Sequence, residues 1–322
     1  MITEEQAGQV EPLCCAIFGG SGFIGSHLVD ALLNFGYQVK VLSRSHSAVN
    51  LSNKENLKIV TGDISNEESV VSVLADCNVC FYLVSTVLPK SSNLNPVFDI
   101  ESNLVNFIKL LDYAIKQKVK KIIFLSSGGT VYGSSTVDLI DECHPTNPLC
   151  SYGVVKLAIE KYLFMYQQLY GLDYSVLRIA NVYGERQRLD SGQGAIAVFL
   201  QKALCNEKIE IWGDGSVVRD YVYVSDVVDA MIAAMGHKGS ERVFNIGSGE
   251  GTSLNALLDE IELITGNKLV KHYSGERKFD VQKNVLSIEL AKKTLSWHPR
   301  VTLAEGLLHT ATWLRSIILQ PT

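Results

Sequence analysis

Cys14-Cys15-Ala16-Ile17-Phe18 is a short, wholly apolar run that ends in glycines. Behind it Ile24, Leu28, Ala31, Leu32 and Phe35 recur at helical spacing, and Gly36 marks the helix end. The alternation then repeats. Val39 and Leu42, Leu57 to Val60, Val79 to Val84, Ile122 to Leu125 and Ser175 to Ile179 read as strands. Pro96 to Val119 reads as one long helix and Tyr152 to Tyr170 as another. Strands that are apolar without interruption, alternating with helices, imply a parallel sheet covered on both faces.

After about Asn181 the segments shorten and Gly, Arg and Asp become frequent. The expected fold is therefore α/β: a Rossmann-type doubly wound parallel sheet with a smaller C-terminal α/β substrate lobe. Residues 12–180 are expected to form the dinucleotide-binding part, with segments at about 218–248 returning to it. The lobe takes most of 181–322.

Length and charge limit the functions. The 322 residues suffice for one large α/β domain plus a lobe, and 47% hydrophobic with 20% charged residues is a globular composition. A net charge of -5 gives no electrostatic reason to bind nucleic acid or an anionic membrane, so an anionic substrate needs a local basic pocket. No apolar run is long enough to span a bilayer. Met1 to Glu11 is polar and carries Glu4, Glu5 and Glu11, unlike a signal peptide, so a cytoplasmic location is expected. The seven cysteines include Cys77-x-x-Cys80, but no second pair or His cluster accompanies it. No metal site is expected, and the thiols read as reduced and largely buried.

Gly19-Gly20-Ser21-Gly22-Phe23-Ile24-Gly25 lies between the first strand and the first helix. The key glycines are spaced three and three rather than the two and three of the common dinucleotide fingerprint, but the physical demand is the same. A tight turn, close backbone approach to a pyrophosphate and close helix–strand packing each exclude a Cβ. The helix N-terminus then faces the phosphates. At the end of the second strand an acid would hold a ribose 2′-hydroxyl; Ser43-Arg44 stands there instead, and an arginine suits a 2′-phosphate. This leaves NADP open beside NAD. Asp63, after the third strand, is a candidate to touch the adenine or, alternatively, a turn-forming residue.

Tyr152 and Lys156 are spaced i and i+4, on one helix face. A lysine cation beside a tyrosine favours the phenolate, which then takes a hydroxyl proton as hydride leaves the adjoining carbon. Ser126-Ser127 ends the fifth strand, at the sheet edge where ligands bind in such folds.

With these residues the chain resembles an extended short-chain dehydrogenase/reductase of the nucleotide-sugar epimerase/dehydratase group. The resemblance runs from about Cys15 to about Trp297. It includes the glycine loop, Gly62-Asp63, the strand-end serines, Thr130-Val131-Tyr132-Gly133, Tyr152 and Lys156, Arg178-x-x-Asn181-x-Tyr183-Gly184, Arg219-Asp220-Tyr221-Val222 and Arg277-x-x-Asp280. It implies bound NAD held by Gly19, Gly22, Phe23, Ile24, Gly25, Ser43, Arg44, Asp63, Ile64, Leu83, Tyr152 and Lys156. It implies a UDP-sugar held by Ser127, Asn181, Trp212, Arg219 and Arg277, with Asp280 shaping the pocket. Two arginines are apt partners for a diphosphate, being planar and permanently charged; the plain alternative for each is a surface salt bridge. The family's dimer, a bundle of two helices from each subunit, implies a homodimer here, with Leu104, Phe107, Leu111 and Ala114 as candidates for its face or for intrachain core.

The resemblance also frames the reaction. The catalytic hydroxyl usually stands four residues before the Tyr of the Val-Tyr-Gly segment, where this chain has Gly128. Ser127 is the candidate, with Ser126 and Thr130 as alternatives. A 4,6-dehydratase needs an Asp-Glu pair just after that hydroxyl, and Gly128 and Gly129 occupy those places. The expected activity is 4-epimerisation of UDP-glucose/UDP-galactose or their N-acetylated counterparts, in the service of polysaccharide biosynthesis. The position four residues past Asp280, which limits room for an N-acetyl group in relatives, is Asn284, smaller than tyrosine. An NADPH-dependent 4-ketoreductase is the alternative. A non-catalytic nicotinamide-binding regulator is the third reading, one that needs no Tyr152–Lys156 pair.

Overall fold

In the computed structural model, which describes residues 13–45, 55–189, 194–275 and 281–318, seven parallel strands form the central sheet. They are β1 (Cys14–Phe18), β2 (Gln38–Ser43), β3 (Leu57–Thr61), β4 (Val79–Tyr82), β5 (Lys121–Ser127), β6 (Asp173–Ile179) and β11 (Val243–Ile246). The order is β11-β6-β5-β4-β1-β2-β3. The chain thus winds outward from β1 in one direction and then, through β4, in the other. The cleft where that direction reverses lies above the carboxyl ends of β1 and β4, where α/β sheets bind their ligands.

Alternate side chains of β1 feed two cores. Cys15 and Ile17 join the cluster under helices α1 (Phe23–Asn34) and α8 (Val224–Gly236). Cys14, Ala16 and Phe18 join the cluster under α2 (Glu67–Leu74), α5 (Asn106–Lys116) and α6 (Ser151–Tyr170). A third core gathers around α7 (Ala195–Leu204), α9 (Leu254–Thr265) and α11 (Leu303–Ile318). Short strand pairs border it: β7 (Asn181–Tyr183) with β10 (Tyr221–Tyr223), and β8 (Ile209–Trp212) with β13 (Lys271–Ser274). A three-stranded piece sets β9 (Val218–Arg219) between β12 (Thr252–Ser253) and β14 (Lys283–Asn284). Short helices α3 (Pro89–Ser92), α4 (Pro96–Asp99) and α10 (Glu289–Leu295) complete the described elements.

One expectation needs correction. Pro96 to Val119 is not one α-helix. α4 passes into a π-helical stretch, Ile100–Val105, before α5, which ends at Lys116. The wider turn lets the buried Asn103 reach Thr86 and Asp99, a tertiary demand that apolar periodicity does not register. For the candidate helix-bundle stripe, the structure bears out the alternative of intrachain core. Phe107, Leu111 and Ala114 are fully buried under the sheet, and Leu104 packs against the same cluster. The exposed apolar residues of this region are instead Val97, Ile100, Val105, Val154, Phe164 and Leu169.

Cys14, Cys15, Cys77 and Cys80 are buried and all seven thiols are free, while Cys143 and Cys205 are exposed. Among the described residues there is no metal-binding cluster and no helix long and apolar enough to cross a membrane.

Candidate active site

The glycine loop is shaped by contacts that leave no room for side chains. Gly19 has φ +90°, and its carbonyl accepts from the Gly22 amide at 3.1 Å. A Cβ on Gly25 would meet the Gly19 carbonyl oxygen at 2.1 Å and the Gly20 Cα at 2.7 Å. Both contacts are backbone, so the loop itself would have to shift to admit a side chain. Gly22 caps α1 without a side-chain hydrogen bond, so the helix presents bare backbone amides to the cleft. This cradle fits the pyrophosphate of a dinucleotide.

Around it, the Leu83 amide donates to the Phe18 carbonyl and the Leu83 backbone closes against Gly19. Phe23 and Ile24 pack toward the third core, and Ile64 toward the second. Ser43 is buried, its hydroxyl donating to the Ser45 carbonyl at 2.9 Å, while Arg44 is exposed. Asp63 takes its turn-forming part: its carboxylate accepts from the Ser65 amide and hydroxyl, at 2.9 and 2.6 Å. The Ser65 bonds, with help from Arg44, hold that carboxyl below the usual range.

The Tyr–Lys pair sits where α6 crosses β5. Gly153 lets the helix start lie close, since a Cβ there would meet the Thr130 carbonyl at 2.9 Å. Lys156 is buried; its ammonium donates to the Leu125 carbonyl at 2.8 Å and lies 4.7 Å from the Phe124 ring centroid and 5.5 Å from that of Tyr152. Burial lowers the Lys156 pKa to about 8, opposed by the charges of Asp99 and Glu160. Burial also pushes the Tyr152 phenol above its ordinary value, with Cys150 and Asp99 adding to the rise. The ammonium is thus the group that can draw the phenol back toward the phenolate.

The strand-end hydroxyls divide by role. Ser126 is buried and donates to the Glu160 carboxylate, which is paired with Arg178 at 2.7 Å. Arg178 continues to the Tyr132 hydroxyl, and Tyr132 donates to Asn245. Ser126 is therefore committed to a structural network. Ser127, the last residue of β5, is half-buried and its Oγ stands 3.9 Å from where a Gly129 Cβ would be. The Thr130 hydroxyl is buried without a hydrogen-bond partner. At Gly128 a Cβ would meet Leu286 at 2.5 Å and the Arg178 carbonyl at 3.2 Å, which disfavours a serine at that position.

The lobe approaches this strand end directly. The Asn181 amide donates to the Asp220 carbonyl at 3.0 Å. Arg219 is half-buried in β9, where it is in register with Asn284 of β14. Asn284 is buried, donates to the Gly128 carbonyl at 3.2 Å and leaves its own Oδ1 unpartnered. Asp220, to which sequence reasoning gave no role of its own, is fully buried; it accepts from the amides of Ser248, Gly249 and Leu286 and so ties the lobe's loops to the sheet. Its place directly after Arg219 was the available signal. Trp212 is the last residue of β8 and is 43% exposed. Arg277 and Asp280 lie outside the described residues.

A Rossmann sheet with a glycine cradle, a Tyr–Lys pair on the helix after β5 and a strand-end serine defines the extended short-chain dehydrogenase/reductase class. Within it, the chain belongs to the NAD dependent epimerase/dehydratase family, whose profile matches residues 15–247. It is 38% identical over 307 residues to the UDP-glucose 4-epimerase of Mycolicibacterium smegmatis, covering 93% of this chain and 98% of that protein. The crystal structure of the Thermotoga maritima UDP-glucose 4-epimerase with UDP-glucose aligns with a TM-score of 0.90 at 38% identity, covering 95% of this chain and 100% of the other. The UDP-N-acetylglucosamine 4-epimerase of Methanobrevibacter ruminantium, solved with UDP-N-acetylmuramic acid, aligns at 0.88 with 30% identity and covers 95% and 99%.

Proposed function

We propose that this chain is an NAD-dependent nucleotide-sugar 4-epimerase acting on UDP-glucose/UDP-galactose and open to their N-acetylated counterparts. The observation that carries the reading is Lys156 held at the Leu125 carbonyl beneath Tyr152, two residues along β5 from Ser127. Gly19, Gly22 and Gly25 would hold NAD along the cradle, where it would supply a reversible hydride acceptor for C4 of the sugar.

The chain's own residues do the rest. Tyr152 receives the proton of the 4-hydroxyl as its phenolate, held in that form by the Lys156 ammonium. Ser127 hydrogen-bonds the same oxygen and steadies it as the proton moves. Asn181, Arg219 and Arg277 hold the diphosphate, leaving the 4-keto sugar free to turn and present its other face. Tyr152 then gives the proton back. Phe23, Ile24, Ile64 and Leu83 wall the cofactor, Asp63 and Ser43-Arg44 edge its adenosine end, and Trp212 covers the uracil. Residues 181–322, apart from about 218–248, form the lobe that receives the sugar nucleotide. The products are sugar donors of the kind polysaccharide assembly consumes, and the reaction is assigned to the cytoplasm.

The deciding experiment releases the nucleotide from purified protein for mass spectrometry and incubates the protein with UDP-glucose alone. Bound NAD and conversion to UDP-galactose without added cofactor are expected. An empty site, no interconversion and NADPH consumption on a 4-keto sugar would replace this reading with the reductase.

We also assign a homodimer. Val97, Ile100, Val105, Val154, Phe164 and Leu169 give the π-helical region and α6 an exposed apolar surface that a second copy would cover. Light scattering on the purified chain tests it; a monomer at micromolar concentration removes the assignment.

A further inference from the structure

We propose that Asp99 is a positioning residue for the Tyr152–Lys156 pair: its buried carboxylate pins the first residue of α6 and stands as a fixed negative charge facing both groups. The inference rests on the catalytic assignment of that pair and adds a residue that the sequence motifs do not include.

Asp99 ends α4 and is 1% exposed. One carboxylate oxygen accepts from Asn103 Nδ2 at 2.9 Å, the other from the Ser151 hydroxyl at 2.8 Å. Ser151 opens α6 and directly precedes Tyr152. Asn103 is itself clamped, accepting from the Thr86 amide at 3.0 Å and donating to the Thr86 hydroxyl at 2.7 Å. The carboxylate is therefore locked between the π-helical turn and the start of the catalytic helix. Both hydrogen-bond donors are neutral, and among the described residues no cation comes within 4.0 Å of it. A buried carboxylate without an ion-pair partner is costly, and folds keep one where its field is used.

That field reaches Lys156, where it is the larger of the two charges opposing deprotonation, and Tyr152, where it opposes the phenolate. The other groups facing the pair are Cys150 ahead of α6 and Glu160 one turn past Lys156, with Arg178 of β6 held on Glu160. β5 contributes the Leu125 carbonyl and the Phe124 ring. Lys90 of α3 and Glu101 of the π-helical turn are exposed, and Asp112 of α5 is bonded to Tyr166 at the helix's far end.

The sign follows. Without the Asp99 charge both Tyr152 and Lys156 release their protons at lower pH. The acid limb of the rate profile, set by Tyr152, and the alkaline limb, set by Lys156, move down together. A residue that only braced the helix would change the rate or the melting temperature and leave both limbs in place.

The test is kcat/KM for UDP-glucose against pH in the full-length holoenzyme. Asp99→Asn is expected to move both limbs down by about half a unit or more, with kcat reduced roughly 3- to 30-fold and KM within about two-fold. Asp99→Glu, which keeps the charge, is expected to keep the limbs of the unmodified enzyme. Ser151→Ala, which removes the pin alone, is expected to lower kcat with unmoved limbs. Unmoved limbs in a folded Asp99→Asn, or an undiminished kcat in Ser151→Ala, would overturn the proposal. Should Asp99→Asn not fold, Ser151→Ala still decides the positioning half. Tyr152→Phe measured alongside separates the two layers. Full activity in that variant sinks the catalytic assignment itself, whereas an inactive Tyr152→Phe with unmoved limbs in Asp99→Asn sinks only the role of Asp99.

Discussion

Lys156 donates its ammonium to the carbonyl of Leu125, so the catalytic helix is tied to the strand that ends in Ser127. Burial lowers the Lys156 pKa to about 8. The proposed active form is the ammonium, and it is lost as pH rises through that value. The kcat/KM profile is therefore expected to fall on its alkaline side near pH 8. Lys156→Arg, always charged, is expected to abolish that limb while lowering the rate, because its planar head does not fit the lysine's place. An unchanged alkaline limb in Lys156→Arg would show that another group sets it.

Ser126 and Ser127 are adjacent but face different tasks. Ser127→Ala is expected to lower kcat about 100-fold with little change in melting temperature. Ser126→Ala is expected to do the reverse, costing about 1–3 kcal/mol because one hydrogen bond to the buried Glu160 carboxylate is lost. Thr130→Val should be close to neutral for stability, since its hydroxyl has no partner to lose. Rate and melting temperature measured on all three distinguish the roles; a Thr130→Val enzyme as slow as Ser127→Ala would move the catalytic hydroxyl.

Gly25→Ala drives a methyl into the Gly19 carbonyl. The loop must open to accept it, at a cost of about 1–3 kcal/mol. The expected product is a folded, less stable protein purified without nucleotide. Full nucleotide occupancy in that variant would remove the cradle from the cofactor site.

Asn284→Tyr is expected to reduce kcat/KM on UDP-N-acetylglucosamine at least 10-fold more than on UDP-glucose. Equal losses on both sugars would mean that the side chain acts on Gly128 rather than on the acetamido group.

Much of this was legible in the residues. Strands such as Ile122–Leu125 are buried on both faces, and the continuous apolar run says so without reference to any other segment. The glycine loop was legible because backbone crowding of Gly25 against Gly19 admits one residue type. The π-helical turn was not, because it follows from Asn103 meeting Thr86, 17 residues away along the chain. The stripe from Leu104 to Ala114 shows one apolar face of a helix but not what covers it, and here the sheet does. Asp99 escaped for a related reason: an acid between Phe98 and Ile100 shows nothing until folding sets it against Ser151.

On the proposed function, the bond from Asn284 to the Gly128 carbonyl would make the sugar's wall and the end of the strand carrying Ser127 a single piece. Selection for a new sugar at this wall therefore acts on reaction geometry as well. A substitution at position 284 that widens the substrate range also perturbs Gly128, beside the reacting hydroxyl, so breadth and speed trade against each other there. Drift toward other sugars should begin at lobe positions that do not touch β5, with Asn284 changing last.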